Sequence, residues 1–335
     1  MRKTVLFPGL LLIACGKFAS AQSPTPFAQP PIIDVHVHAM SAVPGGFPAS
    51  CPFPPGFSAS DPKNGPESQV GWTPQQCTFP LLPAKDGDDY RKQVLDEMER
   101  LNVTAIVMGD QEELKKWTDA SPKRVIPGIS FWGMGSSGYT PVEKMREYFE
   151  KGGFKVMGEI GLQYEGVSPS DPSVDKYFAL AEELDIPVGI HMGTGGSGRA
   201  NIAMTKFRGS MGNPLLLEEL LARHPKLRLW IMHAGYPMID NLLTLLQTNS
   251  HVYVDIAGLI WSYPLEEVNR YIERIVKAGF EDRIMYGTDE VLWPNLMETS
   301  IRVIQNADYL TPEQKRDILY NNAARFLRLD QTKAK

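Results

Sequence analysis

The feature that most limits the fold of this chain is a regular alternation of short apolar segments with longer amphipathic segments. The apolar segments have the length of strands, and the amphipathic segments carry apolar residues at helical spacing. The first apolar segment stands apart from the others, because a long irregular stretch follows it. The predicted strands are 31–37, 103–108, 124–131, 154–160, 187–191, 227–233, 251–257 and 283–288.

Short apolar strands that alternate with helices indicate a parallel sheet that is buried on both faces. Eight such units predict an α/β fold, a (β/α)8 TIM barrel, and the 335 residues of the chain suffice for one. An open, doubly wound sheet is the alternative. We place the barrel domain at residues 32–330. The predicted helices are 88–101, 112–120, 141–151, 172–184, 214–223, 238–247, 265–278, 296–307 and 312–327.

The irregular stretch from residue 39 to about residue 85 is rich in proline and glycine and has no periodicity. Because it follows strand 1, it is expected at the carboxyl-terminal face of the barrel, where it could roof a site. The stretch contains Cys51 and Cys77. In an oxidising compartment they are expected to form a disulfide, and two free thiols are the alternative.

The N-terminal segment has the pattern of an export signal, because two basic residues precede an apolar run that is too short to span a membrane stably. The protein is therefore expected to be periplasmic or extracellular. Two processing schemes remain open, and residues 22–31 form a Pro-rich linker in both. The first has a signal peptide over 1–21 that ends in Ala19-Ser20-Ala21, and the second has a lipoprotein box at 12–16, removal of 1–14 and a lipid anchor on Cys15.

The charge of the chain excludes one class of partner. The formal net charge is −5 and no basic block occurs, which argues against nucleic-acid binding. We expect a small-molecule substrate, and contact with a membrane only through the lipid anchor. The oligomeric state stays open.

Polar residues able to bind a metal stand at the carboxyl-terminal ends of five predicted strands. Because these ends form one face of a barrel, their side chains are expected to meet there. Imidazoles and carboxylates are the ligands that first-row divalent metals prefer. The sequence therefore predicts a metal site. Its candidate ligands are His36 and His38, Glu159 in GEIG, His191 in GIHMG, His233 in IMHAG and Asp289 in YGTD.

This order of ligands, with the GEIG, HAG and GTD contexts and the closing NNAARFL, resembles the amidohydrolase-2 branch of the amidohydrolase superfamily over residues 31–328. The resemblance implies a TIM barrel that binds one or two divalent metals, usually zinc. It implies that His36, His38 and Asp289 bind the first metal. Glu159 would bridge to a second metal on His191 and His233. In mononuclear members the equivalent of His191 completes the single site, and the equivalent of His233 contacts substrate.

The chemistry of such a site predicts an exported metal-dependent hydrolase that cleaves a C–O or C–N bond of an ester, lactone or amide. A divalent metal lowers the pKa of bound water toward 7. Asp289 could take the proton, and the metal or a protonated His233 could polarise the carbonyl. A zinc-dependent decarboxylase of an aromatic or unsaturated acid is the alternative. A non-catalytic, lipid-anchored binding protein is the alternative of a different class.

Further residues are predicted around the ligands. Arg199 follows a Gly-rich loop, 193–198, that could cradle an anion, and a flexible lid is the alternative. Asp34 is expected to orient an imidazole ring, because strand alternation places it on the face of His36 and His38, and a buried, hydrogen-bonded carboxylate is the alternative. Asp255 is either structural or part of the site wall. An aromatic substrate pocket, or else packing against the insertion, is predicted for Trp132, Tyr164, Trp261, Tyr263 and Trp293.

Overall fold

The protein is described from a computed structural model. It describes residues 29–329 except 44–47, 58, 60, 62, 64–76, 133–137, 197 and 202–205. The predicted export signal, Cys15 and most of the 22–31 linker lie outside the described residues. Among the described helices, none is both long enough and apolar enough to cross a membrane.

Eight parallel strands follow one another around a single sheet in chain order. The sheet closes on itself, because the Val35 N–H donates to the Tyr286 carbonyl at 3.0 Å and the Asp289 N–H donates to the His36 carbonyl at 2.8 Å. The predicted (β/α)8 barrel is therefore confirmed, and the doubly wound alternative is wrong. The strands are β1 Ile32–His38, β2 Val103–Met108, β3 Val125–Ile129, β4 Val156–Ile160, β5 Val188–His191, β6 Leu229–Met232, β7 Tyr253–Asp255 and β8 Ile284–Met285.

Each predicted helix is present, with ends that differ by a few residues, and one short helix, Leu259–Ser262, was not predicted. Side chains of Asp86, Asp110 and Thr311 cap three of them by accepting a backbone N–H of the first turn. The predicted helix 312–327 contains a π-helical turn at Asp317–Asn321. The helices are α1 Gly87–Arg100, α2 Gln111–Ala120, α3 Val142–Glu150, α4 Asp175–Glu183, α5 Glu218–Arg223, α6 Ile239–Thr248, α7 Leu259–Ser262, α8 Leu265–Lys277, α9 Leu296–Asn306, α10 Pro312–Arg316 and α11 Asn322–Phe326.

Apolar side chains fill the barrel below the strand ends. One buried cluster combines residues of β1, β2, β4, β6 and β8 with the C-terminal helix, where Phe326 packs edge-on against Trp230 at 5.7 Å between ring centroids. Gly189 makes room for this packing, since a Cβ there would lie 2.4 Å from the Trp230 ring. The filled interior leaves the carboxyl-terminal strand ends as the place where polar side chains can converge.

The described part of the 39–85 stretch packs on the loops that follow β7 and β8. The Phe53 N–H donates to the Trp261 carbonyl at 2.7 Å, and Nε1 of Trp293 donates to the Pro48 carbonyl at 2.8 Å. A disulfide joins Cys51 and Cys77, whose Cα atoms are 5.9 Å apart. These contacts place the stretch at the carboxyl-terminal end of the barrel, beside the strand ends that carry the candidate ligands.

Candidate metal centre

The first half of the centre lies where β1 and β8 meet. Nε2 of His36 lies 3.2 Å from Nε2 of His38. Oδ1 of Asp289 lies 3.1 Å from Nε2 of His38 and 3.6 Å from Nε2 of His36. The backbone bond from Asp289 to His36 sets this spacing, because it ties the end of strand 8 to strand 1.

The second half lies where β5 and β6 end. Nδ1 of His191 lies 3.0 Å from Nε2 of His233. His233 begins a tight turn and has φ of +59°, a region that costs free energy for any residue with a Cβ. Asp289 has φ of +60°. Both ligands therefore stand on backbone that only the surrounding fold can hold.

Glu159, at the end of β4, joins the two halves. Its Oε2 lies 3.4 Å from Nε2 of His38 and 3.7 Å from Nε2 of His36. Its Oε1 lies 3.3 Å from Nε2 of His233 and contacts Nδ1 of His191. Each oxygen of one carboxylate thus faces a different pair of imidazoles. The fold brings all six sequence-predicted ligands together.

Asp255 orients the ring of His36. Nδ1 of His36 donates to Oδ2 of Asp255 at 3.1 Å, which turns Nε2 toward the centre. The same carboxylate accepts Nε1 of Trp230 at 3.0 Å and the backbone N–H of His233 at 2.8 Å. Asp255 is therefore saturated by neighbours and serves to position both halves, as partners of metal-binding histidines commonly do.

Asp34 does not orient an imidazole ring, the role predicted first, but is the buried, hydrogen-bonded carboxylate of the alternative. It accepts the backbone N–H groups of His36 at 2.9 Å and Thr288 at 3.0 Å, and it contacts the Thr288 hydroxyl. Strand alternation fails here because the β1–β2 register shifts between Asp34 and Val37. Asp34 thus ties β1 to the segment after β8.

The other ring nitrogens of the second half are also occupied. Nδ1 of His233 donates to the Ala257 carbonyl at 2.8 Å, which leaves the Nε2 lone pair facing the centre. Nε2 of His191 lies 3.1 Å from the Tyr164 hydroxyl, so His191 presents Nδ1. These partners select, for each ring, the nitrogen that is offered to the centre.

The electrostatics of the centre favour anionic carboxylates. Burial raises the pKa of Asp289, but the charge of His36 and the hydrogen bond from His38 outweigh it and lower the pKa to about 2. Burial likewise opposes ionisation of Glu159, and His191 above all lowers its pKa well below the usual range. Burial opposes protonation of His36, yet Asp255 and Asp289 raise its pKa well above the usual range.

The donor set fits a divalent cation. Ligand atoms of His36, His38 and Glu159 lie within 4.8 Å of one another, and so do those of Glu159, His191 and His233. Imidazole nitrogens that face each other at about 3 Å repel unless a proton or a cation lies between them. Two ionised carboxylates supply the charge that a cation needs.

Gly258 is a part of the site that the sequence analysis missed. A Cβ at this position would lie 2.9 Å from Oδ2 of Asp289 and 3.1 Å from Nδ1 of His233, and its φ is +67°. Only glycine lets the chain after β7 pass this close to both ligands. The sequence places Gly258 directly after a predicted strand, but a glycine near a strand end is too common to indicate a site by itself.

The predicted pocket residues divide into two groups. Tyr164 contacts His191, and its ring stacks on Trp132 at 5.9 Å and lies below the guanidinium of Arg199 at 5.6 Å. Trp261 and Trp293 instead pack against each other at 6.0 Å and bond to the insertion. The first group reaches the metal centre, and the second supports the insertion.

Comparison with known proteins agrees with this architecture. A family model described as Amidohydrolase matches residues 33–329. The chain belongs to the amidohydrolase family. This is a family of metal-dependent enzymes. No curated protein matches this amidohydrolase by sequence.

Solved structures share the fold of this amidohydrolase at low sequence identity. A probable 2-pyrone-4,6-dicarboxylic acid hydrolase from Acinetobacter baumannii is 12% identical with a TM-score of 0.57, over 89% of this chain and 99% of that chain. A 4-oxalomesaconate hydratase from Rhodopseudomonas palustris is 15% identical with a TM-score of 0.53, over 89% and 95%. A 5-carboxyvanillate decarboxylase from Novosphingobium aromaticivorans, complexed with manganese, is 16% identical with a TM-score of 0.51, over 70% and 79%.

Proposed function

We propose that this amidohydrolase is a hydrolase that cleaves the ester, lactone or amide bond of a small molecule. The observation that carries the proposal is Glu159, whose two oxygens face both pairs of imidazoles. A carboxylate placed in this way can be shared by two cations, an arrangement suited to activating water and substrate together. Zinc is the metal that we propose first, because imidazole and carboxylate ligands suit it.

The ligands divide into two sets. His36, His38 and Asp289 would hold one cation, His191 and His233 would hold the other, and Glu159 would contact both. A divalent metal supplies Lewis acidity, which lowers the pKa of a water molecule and polarises a carbonyl. The chain's own task is to present unprotonated nitrogens, and Asp255 and the Ala257 carbonyl do this by accepting the outer N–H of His36 and His233.

Asp289 is proposed to carry the proton of the reaction. Its Oδ1 faces the imidazoles of β1, whereas its Oδ2 faces Gly258, which has no Cβ to press on it. The neighbouring imidazoles lower the pKa of Asp289, so its carboxylate is ionised at neutral pH and has a lone pair that can take a proton. Asp289 would accept the proton of the attacking water and pass it to the leaving oxygen or nitrogen.

A non-oxidative decarboxylase is the second candidate. The observation that favours it is the shared fold of a 5-carboxyvanillate decarboxylase, a structure that contains manganese. Decarboxylation needs no attacking water, so it would depend less on a Glu159 that faces both pairs of imidazoles. The metal content and the product therefore separate the two candidates.

The test is elemental analysis of the purified protein, followed by an ester, lactone, amide and carboxylic-acid panel, with Glu159→Gln beside wild type. We expect two metals per wild-type chain, release of an alcohol or amine, and a loss of activity of at least about 100-fold in the variant. Glu182→Gln is the matched control, because Glu182 contacts His224 outside the centre at a similar 3.3 Å. One metal per chain, an active Glu159→Gln and release of carbon dioxide would replace the hydrolase with the decarboxylase.

We also propose that the protein is exported. The disulfide between Cys51 and Cys77 supports this, because such bonds persist mainly in oxidising compartments. Mass spectrometry of the protein from its native cells would find the chain shortened at its N-terminus, with or without a lipid on Cys15. A full-length chain beginning at Met1 would refute export by either scheme.

A further inference from the structure

The Gly-rich loop after β5 is anchored beside the metal centre. Nε2 of Gln163 donates to the Gly193 carbonyl at 3.0 Å, and Gln163 is buried. The Thr194 hydroxyl lies 3.2 Å from the Tyr263 hydroxyl. The start of the loop, at Gly193 and Thr194, therefore has partners on two sides.

Arg199 has a charge that the described residues leave unpaired. Every other described arginine has a carboxylate or carbonyl partner, as Arg228 has in Asp185 and Arg283 has in Leu246. The guanidinium of Arg199 instead lies over the ring of Tyr164, at 5.6 Å from the centroid. A cation on an aromatic face keeps its N–H groups free to donate in the plane of the guanidinium.

Tyr164 connects this free cation to the metal centre. Its ring centroid lies 4.9 Å from that of His191, and its hydroxyl bonds to the ring nitrogen that faces away from Glu159. Gly195 allows the loop to come this close, since a Cβ there would be 3.3 Å from the Tyr164 hydroxyl. The ring of Tyr164 thus lies between His191, a ligand of the proposed metal, and the guanidinium of Arg199, which the described residues leave unpaired.

We propose that Arg199 binds a carboxylate group of the substrate while the bond to be cleaved lies at the metal centre. This inference rests on the proposed function and adds a substrate class to it, namely small molecules with a carboxylate beside the reacting group. An arginine matches a carboxylate with two parallel hydrogen bonds. A single unpaired cation also balances the single charge of a carboxylate, whereas a phosphate dianion would add negative charge near Glu159.

The test measures equilibrium binding, so that it does not depend on turnover. The probes are succinate, glutarate, adipate and pimelate, each compared with the monocarboxylate of the same chain length, by calorimetry on the metal-loaded protein. The series varies the distance between the two carboxylates, so that the length that best spans Arg199 and the centre is found by experiment. We expect the best dicarboxylate to bind at least about 10-fold more tightly than its monocarboxylate, because its second carboxylate adds a charge-assisted pair of hydrogen bonds.

Arg199→Gln is expected to reduce this preference to less than about twofold, and Arg199→Lys to retain part of it, because lysine keeps the charge without the planar fork. Arg270→Gln is the matched control, since it removes one positive charge at an exposed position on α8. Metal content and thermal midpoint show whether each variant is folded.

Three results would overturn the proposal. The first is equal binding of dicarboxylates and monocarboxylates by wild type, and the second is a preference for dicarboxylates that persists in Arg199→Gln. The third is that inorganic phosphate is the only anion whose binding Arg199→Gln loses. Failure of the hydrolase proposal would look different. In that case the panel would show no hydrolysis, while the dicarboxylate preference and its loss in Arg199→Gln would persist.

Discussion

The metal centre and the rim around it are built in different ways. Each ligand of the centre stands at a strand end, and in His36, His191 and His233 the ring nitrogen that faces away from the centre bonds to a fixed partner. The rim consists of the loop with Arg199 and the insertion, which are held by hydrogen bonds between loops, such as that from Trp293 to Pro48, and by the disulfide. Under the proposed function, the difference implies that the barrel supplies the chemistry, whereas the loops select the molecule that reaches it.

The largest effect on activity is expected from a substitution in the metal centre, Asp289→Asn. The amide has the size of the carboxylate but cannot accept a proton, so we expect kcat to fall by about 1,000-fold or more. The measurement is kcat on the substrate found in the panel, with metal content determined on the same sample. Asp175→Asn, which alters a carboxylate beside His224 outside the barrel, is expected to keep normal activity. Activity within about 10-fold of wild type would exclude Asp289 as the base.

The second largest effect is expected from a residue that orients a ligand, and it is measured as metal affinity. Asp255→Asn removes the acceptor of the His36 Nδ1–H, and we expect metal affinity to fall by about 10- to 100-fold. Competition with a zinc-binding dye measures this directly. Asp175→Asn is again the control, because its contact with Nε2 of His224 has the same 3.1 Å length. Equal affinities in all three proteins would show that Asp255 serves only the fold.

The difference between centre and rim also explains what the sequence could predict. His36, Glu159 and His191 were predictable because a parallel barrel brings every carboxyl-terminal strand end to one face, whatever the loops do. The sequence does not decide the role of Asp255, because its bond to His36 joins residues 219 positions apart and depends on the strand register. Asp34 was misplaced by one bulge, since a single extra residue changes the face that a side chain occupies.

Loop geometry was the least predictable part. Tyr164 stands on a 3₁₀ turn after β4, and its bond to His191 depends on the path of that turn rather than on any periodicity. The positions of Trp261 and Trp293 also depend on loop geometry, and the sequence allows either a substrate pocket or packing for both. The structure favours packing, because both indole N–H groups already donate to backbone carbonyls. The Trp261 indole donates to Thr288 and the Trp293 indole to Pro48 of the insertion.

The smallest expected effect comes from the rim, in the double variant Cys51→Ser/Cys77→Ser. A cross-link between residues 26 positions apart stabilises by about 3 kcal/mol in the chain-entropy model, but here it restrains the insertion and not the barrel. We therefore expect unchanged metal content, a kcat within about twofold of wild type and faster proteolysis within 39–85. Limited proteolysis and metal analysis of both proteins check this, with Asp308→Asn as a surface control. If the variant lost its metal, the insertion would be part of the centre's support, and the separation of centre from rim would be wrong.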